Sequence, residues 1–293
     1  MSRAESITRA LGGAWTGKDG IARCPAHEDH TPSLSLKDGA DGRLLAFCHA
    51  GCPFVLVADA LRAQGLLPSN QNYARQSPAE RTQRAKDAKA AKDRRAQLGR
   101  ELWERAGPIS STLGERYIRE RGITCSLPGS LRYIGDCWHK SGQHLPAIVA
   151  RVEGCESFAV HRTYLKPDGR GKAAVDLPKV MLGSVKGGSV RLSRPSRRLA
   201  VAEGIETALS LRCGFLSAQT EVHAALSATG MRRFNLPPTP GELVLAPDGD
   251  PVGLAAAEYL AERAAKAGWH IAWLRPPSGM DWNDVLRERR GNQ

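Results

Sequence analysis

Four metal-binding side chains near the start of the 293-residue sequence constrain its fold more than any other feature. Cys24-Pro-Ala-His27 is followed by Cys48-His-Ala-Gly-Cys52. Three thiolates and one imidazole make a closed tetrahedral donor set of the kind that holds structural zinc. Two close-spaced ligand pairs on separate turns, joined by short strands, are the layout of a zinc ribbon. A domain of this size buries little apolar surface, so a metal cross-link suits residues 1–67. His49 is the alternative fourth ligand, but adjacent residues usually point apart, which favours Cys52. His30 stands outside the set. Cys125, Cys137, Cys155 and Cys213 have no paired spacing, and seven cysteines is an odd count, so a reduced chain is expected.

The net charge of +12 is unevenly spread. Residues 108–195 carry 14 Lys or Arg against 7 Asp or Glu, and residues 71–107 carry 10 against 5. The two ends of the chain are balanced. A concentrated basic middle points to a polyanion, because phosphate neutralisation releases counterions. No apolar run approaches the ~18 residues of a membrane span. The opening segment MSRAESITRALGGAW lacks the basic-then-apolar layout of an export signal. A cytoplasmic location without membrane contact is expected.

Composition divides the chain further. Residues 68–80 are rich in Pro, Ser, Asn and Gln and read as a linker. Residues 80–106 are strong helix formers of mixed charge, with Leu98, Leu102 and Trp103 as a docking face. The segment 108–195 reads as short strands and turns, with a hairpin expected across Glu153-Gly154. From residue 199, the apolar runs LAVA, VHAAL, LVLA and HIAWL alternate with helical patterns, one at about 252–267 with Ala257, Leu260, Ala261 and Ala264 on one face. Strand–helix alternation predicts a parallel sheet with helices on its faces.

That last region carries acidic groups at strand ends. Glu203 follows LAVA, with Gly204 beside it, and Asp248-Gly-Asp250 follows LVLA. Ligands of open parallel sheets gather at the carboxyl ends of strands, so the three acids are candidates to converge. Hard carboxylate oxygens suit octahedral Mg2+ or Mn2+. Asp281, in Gly-Met-Asp-Trp-Asn-Asp, reads equally as a metal ligand and as a helix cap. Ser227-Ala-Thr-Gly230 reads as a phosphate contact or a turn. No G-x-x-x-x-G-K-[ST] loop is present, so no motor is read in this sequence.

CPAHEDHTPSLSL with CHAGC resembles the zinc-ribbon domain of bacterial and phage DNA primases. LAVAEGIETALS with Asp248-Gly-Asp250 resembles the Toprim domain, in the variant of plasmid, phage and integrative-element primases. The resemblance implies an α/β chain of four parts: a zinc ribbon (1–67), a linker and charged helix (68–107), a small basic α+β subdomain (108–195) and a Toprim domain (196–293). It implies Zn2+ on Cys24, His27, Cys48 and Cys52. It also implies catalytic Mg2+ or Mn2+ on Glu203, Asp248, Asp250 and Asp281, with Glu203 as general base or acid. Bacterial primases often carry an aspartate four residues after the glutamate. Here that position is Thr207, and Glu206 is the candidate substitute.

Arg162, Lys166, Arg170, Lys172, Lys179 and Lys186 are the implied contacts to template, primer or nucleoside triphosphate. The implied activity is a DNA-directed primase, a nucleotidyltransferase working on single-stranded DNA with a replicative helicase on a separate chain. The alternatives are a Toprim-type nuclease and a non-catalytic single-stranded-DNA-binding accessory.

Overall fold

The computed structural model describes residues 2–39, 42–68 and 78–291, which fall into two compact units, 1–82 and 83–293. Most of the linker expected at 68–80 lies outside the described residues.

The first unit contains α1 (Arg3–Ala10), β1 (Ala14–Trp15), β2 (Gly20–Ala22), β3 (Leu34–Asp38), β4 (Leu44–Cys48) and α2 (Phe54–Ala63). The four strands form one antiparallel sheet in sequence order. Ser2 caps α1 by accepting from the Glu5 N–H. Ile7 of α1, Leu34 and Leu36 of β3, Leu44 of β4, and Val57 and Leu61 of α2 form the core. Alternation along β4 turns Leu44 and Cys48 inward and leaves Leu45 and Phe47 in solvent.

The second unit takes in most of α3 (Pro78–Arg105), then β5 (Gly107–Pro108) and α4 (Leu113–Glu120). There follow β6 (Leu131–Trp138), β7 (His144–Val152), β8 (Ala159–Tyr164) and β9 (Lys179–Leu182). β5 to β9 make an antiparallel sheet in sequence order. Val152 pairs with Ala159, so the β7–β8 connection spans 153–158. The hairpin expected across Glu153-Gly154 is present, with its connection extended to Phe158. Along β7, Leu145, Ala147 and Val149 face the core under Trp103 of α3. Ile148, Ala150 and Val152 face the other way, towards Tyr117 and Ile118 of α4. Leu98 is exposed, unlike Leu102 and Trp103; the neighbouring Gly99 takes the inward position, close to Phe158 and Leu182.

The remaining elements are β10 (Val190–Arg191), β11 (Arg198–Ala202), α5 (Ile205–Leu211), β12 (Thr220–Ala224), α6 (Ala228–Arg233), β13 (Glu242–Ala246), α7 (Pro251–Lys266), β14 (His270–Trp273) and α8 (Trp282–Gly291). Their sheet runs β10-β12-β11-β13-β14, parallel except for β10 at one edge. Residue parity sorts its two faces. Ala200, Ala202, Val244 and Ala246 pack with α5 and α8 through Leu209, Trp282 and Leu286. Leu199, Val201, Leu243 and Leu245 pack with α6 and α7 through Met231, Phe234, Ala257 and Leu260. Ala261, read as part of the α7 core face, is only partly buried.

Leu260 is fully buried between α7 and the sheet. Leu260→Ala should lower unfolding free energy by about 2–5 kcal/mol, read from urea melts of the full chain.

Candidate functional site

In the first unit, Cys24, His27, Cys48 and Cys52 place their ligand atoms within 4.8 Å of one another. They are the one such group among the described residues. His27 Nδ1 lies 3.2 Å from Cys52 Sγ and 3.9 Å from Cys48 Sγ. His49, the alternative ligand, instead turns its Nε2 to Ser35 Oγ at 2.8 Å, and its ring packs edge-on against Phe47. Three thiolates crowded around an imidazole repel one another without a cation. Burial and the neighbouring sulfurs push the Cys24 thiol up to about 11. Three sulfurs and one nitrogen at this spacing fit tetrahedral Zn2+.

Asp29 organises this cluster and carries no signal of its own in the sequence. Its carboxylate accepts from the Cys24 N–H at 2.6 Å and the Ser33 hydroxyl at 2.6 Å, and lies 3.7 Å from His27 Nε2. The Cys24 and Ser33 hydrogen bonds hold it down to about 2. A carboxylate behind a ligating histidine fixes which ring nitrogen faces the metal.

The second acidic cluster lies at the carboxyl ends of β11 and β13. Gly204 caps α5, so the chain turns directly from Glu203 into the helix. Glu203 Oε1 lies 3.4 Å from the Asp248 N–H. This approach requires Gly253, since a Cβ there would stand 2.3 Å from that oxygen. Gly249 accepts from the Gly279 N–H and donates to Met280 O, which stitches the Asp248–Asp250 turn to the loop before Asp281.

Asp250 and Asp281 also serve as caps. Asp250 Oδ1 accepts from the Gly253 N–H at 2.7 Å, and Asp281 Oδ1 from the N–H groups of Asn283 and Asp284. Among the described residues the four acids are not gathered into a close ligand group like that of the Cys–His set. Burial first, then the Asp248 charge, pushes Glu203 up to about 7. Burial and Asp281 push Asp248 up to about 6. Partly buried carboxylates that raise one another are a donor set suited to a hard divalent cation.

Glu206 does not join these acids. It is buried and points towards the antiparallel sheet, where it accepts from Tyr117 Oη at 2.8 Å and lies 3.1 Å from Lys179 Nζ and 3.7 Å from Lys172 Nζ. It therefore cannot stand in for a metal-binding aspartate, as its sequence position had suggested. Burial alone would raise its carboxyl, but Lys179, Lys172 and Tyr117 outweigh that and hold it far below the usual range. Thr207, at the aspartate position, donates to Asp248 Oδ1 at 3.3 Å. One turn of α5 thus joins the lysine pair to the acidic cluster.

Residues 198–292 match the family described as the Toprim domain, over the four parallel strands β11 to β14 and helices α5 to α8. This part of the chain is a Toprim domain. Residues 93–192 match a family described as a domain of unknown function, DUF7146. No curated protein matches the chain.

Solved structures similar to it include three of primases. The zinc-binding and RNA polymerase domains of the Aquifex aeolicus primase align at 13% identity and a TM-score of 0.40, over 98% of this chain and 80% of that one. The RNA polymerase domain of Mycobacterium tuberculosis primase DnaG aligns at 15% and 0.41, over 67% and 82%. The primase fragment of the bacteriophage T7 primase-helicase protein aligns at 13% and 0.32, over 64% and 71%.

Around the Toprim domain, the six basic residues singled out from the sequence do not form one cluster. Lys172 and Lys179 meet at Glu206. Arg170 lies 3.6 Å from Glu120 in a small cleft with Arg121 and Arg287. Lys166 lines a separate cleft beside Leu145 and Ala173. Arg162 leans on the Tyr164 ring, and Lys186 faces α6 and α7. Ser227 accepts from the Gly230 N–H as the cap of α6, the turn reading of that segment. Cys125 and Cys213, far apart in sequence, both donate to Leu209 O. Among the described residues no helix is long and apolar enough to cross a membrane.

Removing zinc with a strong chelator should make residues 1–67 of the full chain protease-sensitive while 108–291 stay protected. Asp29→Ala should weaken zinc retention about 10–100-fold in a competitive chelation assay. Glu206→Gln should cost about 3 kcal/mol in denaturant melts, because two ammonium groups lose their shared counter-ion. A depressed folded carboxyl stabilises above its ordinary value of 4.5 and loses that contribution as pH falls. The gap between wild type and Glu206→Gln should therefore close on acidification below that value.

Proposed function

We propose that the chain is a DNA primase that joins nucleotides on a single-stranded DNA template, in the service of mobile-element replication. The observation that carries this reading is the link made by α5: Glu203 and Asp248 on one side of Thr207, Lys172 and Lys179 on the other. A polymerising site needs hard acidic ligands beside fixed cations, the first for metal and the second for the phosphates of an incoming nucleoside triphosphate. The Toprim match supports the same reading.

In this proposal residues 1–67 are a zinc ribbon that reads the template, with Phe47 and His49 exposed for base stacking. Residues 68–107 connect it to the rest. Residues 108–195 supply basic contacts, and residues 196–293 supply the acids. Glu203, Asp248, Asp250 and Asp281 would hold Mg2+ or Mn2+, which supplies Lewis-acid stabilisation of charge in nucleotidyl transfer. Glu203, raised close to neutrality by burial and Asp248, is suited to accept a proton from a primer hydroxyl. Lys172 and Lys179 are held still by Glu206, so they meet phosphate without a further ordering cost. A helicase on a separate chain supplies the unwound template.

The test is template-dependent incorporation of labelled ribonucleotides on random single-stranded DNA in Mg2+ or Mn2+. Wild type should make short products, and Asp248→Asn should reduce them to background. Because Asp248 is buried among like charges, the same variant should be no less stable than wild type in metal-free denaturant melts. Shortening of labelled DNA without synthesis would replace this reading with metal-dependent hydrolysis. Binding of single-stranded DNA with no chemistry in either metal would replace it with an accessory role.

A further inference from the structure

A second cationic cleft lies apart from the acidic residues, with a volume of about 620 Å3. It is built where two loops of the antiparallel sheet meet the outer ends of α6 and α7. Lys186 comes from the loop before β10, Arg232 and Arg233 from the end of α6, and Tyr259 and Arg263 from α7. Glu203, Asp248, Asp250 and Asp281 do not line it.

Its walls are fixed by hydrogen bonds that leave the cationic rim free. Asn235 Nδ2 donates to Gly154 O at 2.8 Å, and the Asn235 N–H donates to Gly187 O at 2.9 Å. One residue, by its side chain and its backbone, thus ties both loops to the end of α6. Gly187 has φ +77°, and a Cβ there would meet the Asn235 amide at 2.4 Å. Arg263 donates to the carbonyls of Arg232 and Phe234, which anchors the end of α6. The Arg232 guanidinium stacks over the Tyr259 ring at 4.6 Å.

The charge balance is one-sided. Glu156 is the only acidic residue of the lining, and Lys92 from α3 pairs with it. Lys186, Arg232 and Arg233 have no ion pair among the described residues. Lys186, Arg232 and Arg233 converge on one concavity against a single carboxylate, Glu156, that Lys92 already pairs, joined by a stacked arginine–tyrosine face. The volume is that of a nucleotide-sized ligand. Clustering of the cations in one pocket suits a compact polyanion, while the exposed Tyr259–Arg232 stack suits a base.

We propose that this cleft binds the triphosphate of a nucleotide, carried either by a free nucleoside triphosphate or by the 5′ end of a newly made oligoribonucleotide. The second source rests on the primase reading, because a strand begun from a nucleoside triphosphate keeps that group on its first residue. No bond is made or broken; the cleft would hold the starting end of the product while the acidic site acts on the other.

The test is fluorescence anisotropy on the full chain, without added divalent cation, so that binding is read where no synthesis occurs. A protein unable to polymerise can still pass it. The probes are a labelled oligoribonucleotide with a 5′-triphosphate, the same strand with a 5′-hydroxyl, and a fluorescent ATP derivative. The triphosphate strand should bind at least about tenfold more tightly than the hydroxyl strand. Inorganic tripolyphosphate should erase the difference. Arg232→Gln/Arg233→Gln, at exposed positions, should remove the preference and leave hydroxyl-strand affinity in place, and Lys186→Gln should reduce it.

Fluorescent ATP binding as tightly as the triphosphate strand identifies the free nucleotide as the source, whereas weaker binding identifies the strand end. Equal affinity for the two strands overturns the proposal. So does a preference that survives in the folded double variant. Should the double variant fail to fold, Lys186→Gln decides: a triphosphate preference unchanged in that folded variant overturns the proposal.

Discussion

The buried carboxylate of Glu206 is the interaction on which the second unit depends. It sits in the first turn of α5, in the Toprim domain, yet its three partners belong to the antiparallel part. Tyr117 comes from α4, Lys172 from a turn after β8, and Lys179 from the start of β9. A buried ion pair gains little net stability over a well-packed apolar contact, but losing one member leaves the others stranded. Such a contact therefore specifies an arrangement more than it stabilises a fold. Here it specifies that two ammonium groups stand beside Thr207, which is bonded to Asp248. His161, fully buried nearby and pushed down to about 4 by burial and Lys179, stays neutral and adds no competing charge.

The two acidic and thiolate clusters follow a common logic. Each concentrates groups that repel one another, and each is held by hydrogen bonds that have nothing to do with a metal. In the first unit Asp29 gathers the Cys24 and Ser33 backbone around itself. In the second, Asp250 and Asp281 start α7 and α8 as caps. The scaffold thus supplies the ordering energy for each cluster from ordinary backbone satisfaction.

Features set by short spacing were legible in the sequence, and features set by distant partners were not. The Cys24-x2-His27 and Cys48-x3-Cys52 pairs announce their tetrad because each pair closes within one turn. LAVA and LVLA read as buried strands of a parallel sheet, since each is a short continuous apolar run followed by a helical pattern. The role of Glu206 was hidden, because its partner Tyr117 lies 89 residues away and a glutamate in a helix carries no mark of burial. Leu98 looked like part of a docking face on apolarity alone, whereas Gly99 occupies that position through close backbone approach. The cleft around Arg232 and Arg233 escaped notice for a similar reason. Its walls come from four separate segments, and an Arg-Arg pair at a helix end reads as ordinary surface.

The close approach of Glu203 to Gly253 has an electrical corollary. Because that glycine lies in the first turn of the 16-residue α7, the positive end of a long helix rests against the carboxylates of β11 and β13. Aligned peptide groups act there as a permanent fractional counter-charge, built into the backbone and independent of any ion in solution. A side chain as small as a methyl would displace the Glu203 carboxylate from the helix end and so from the place where that charge offsets repulsion most.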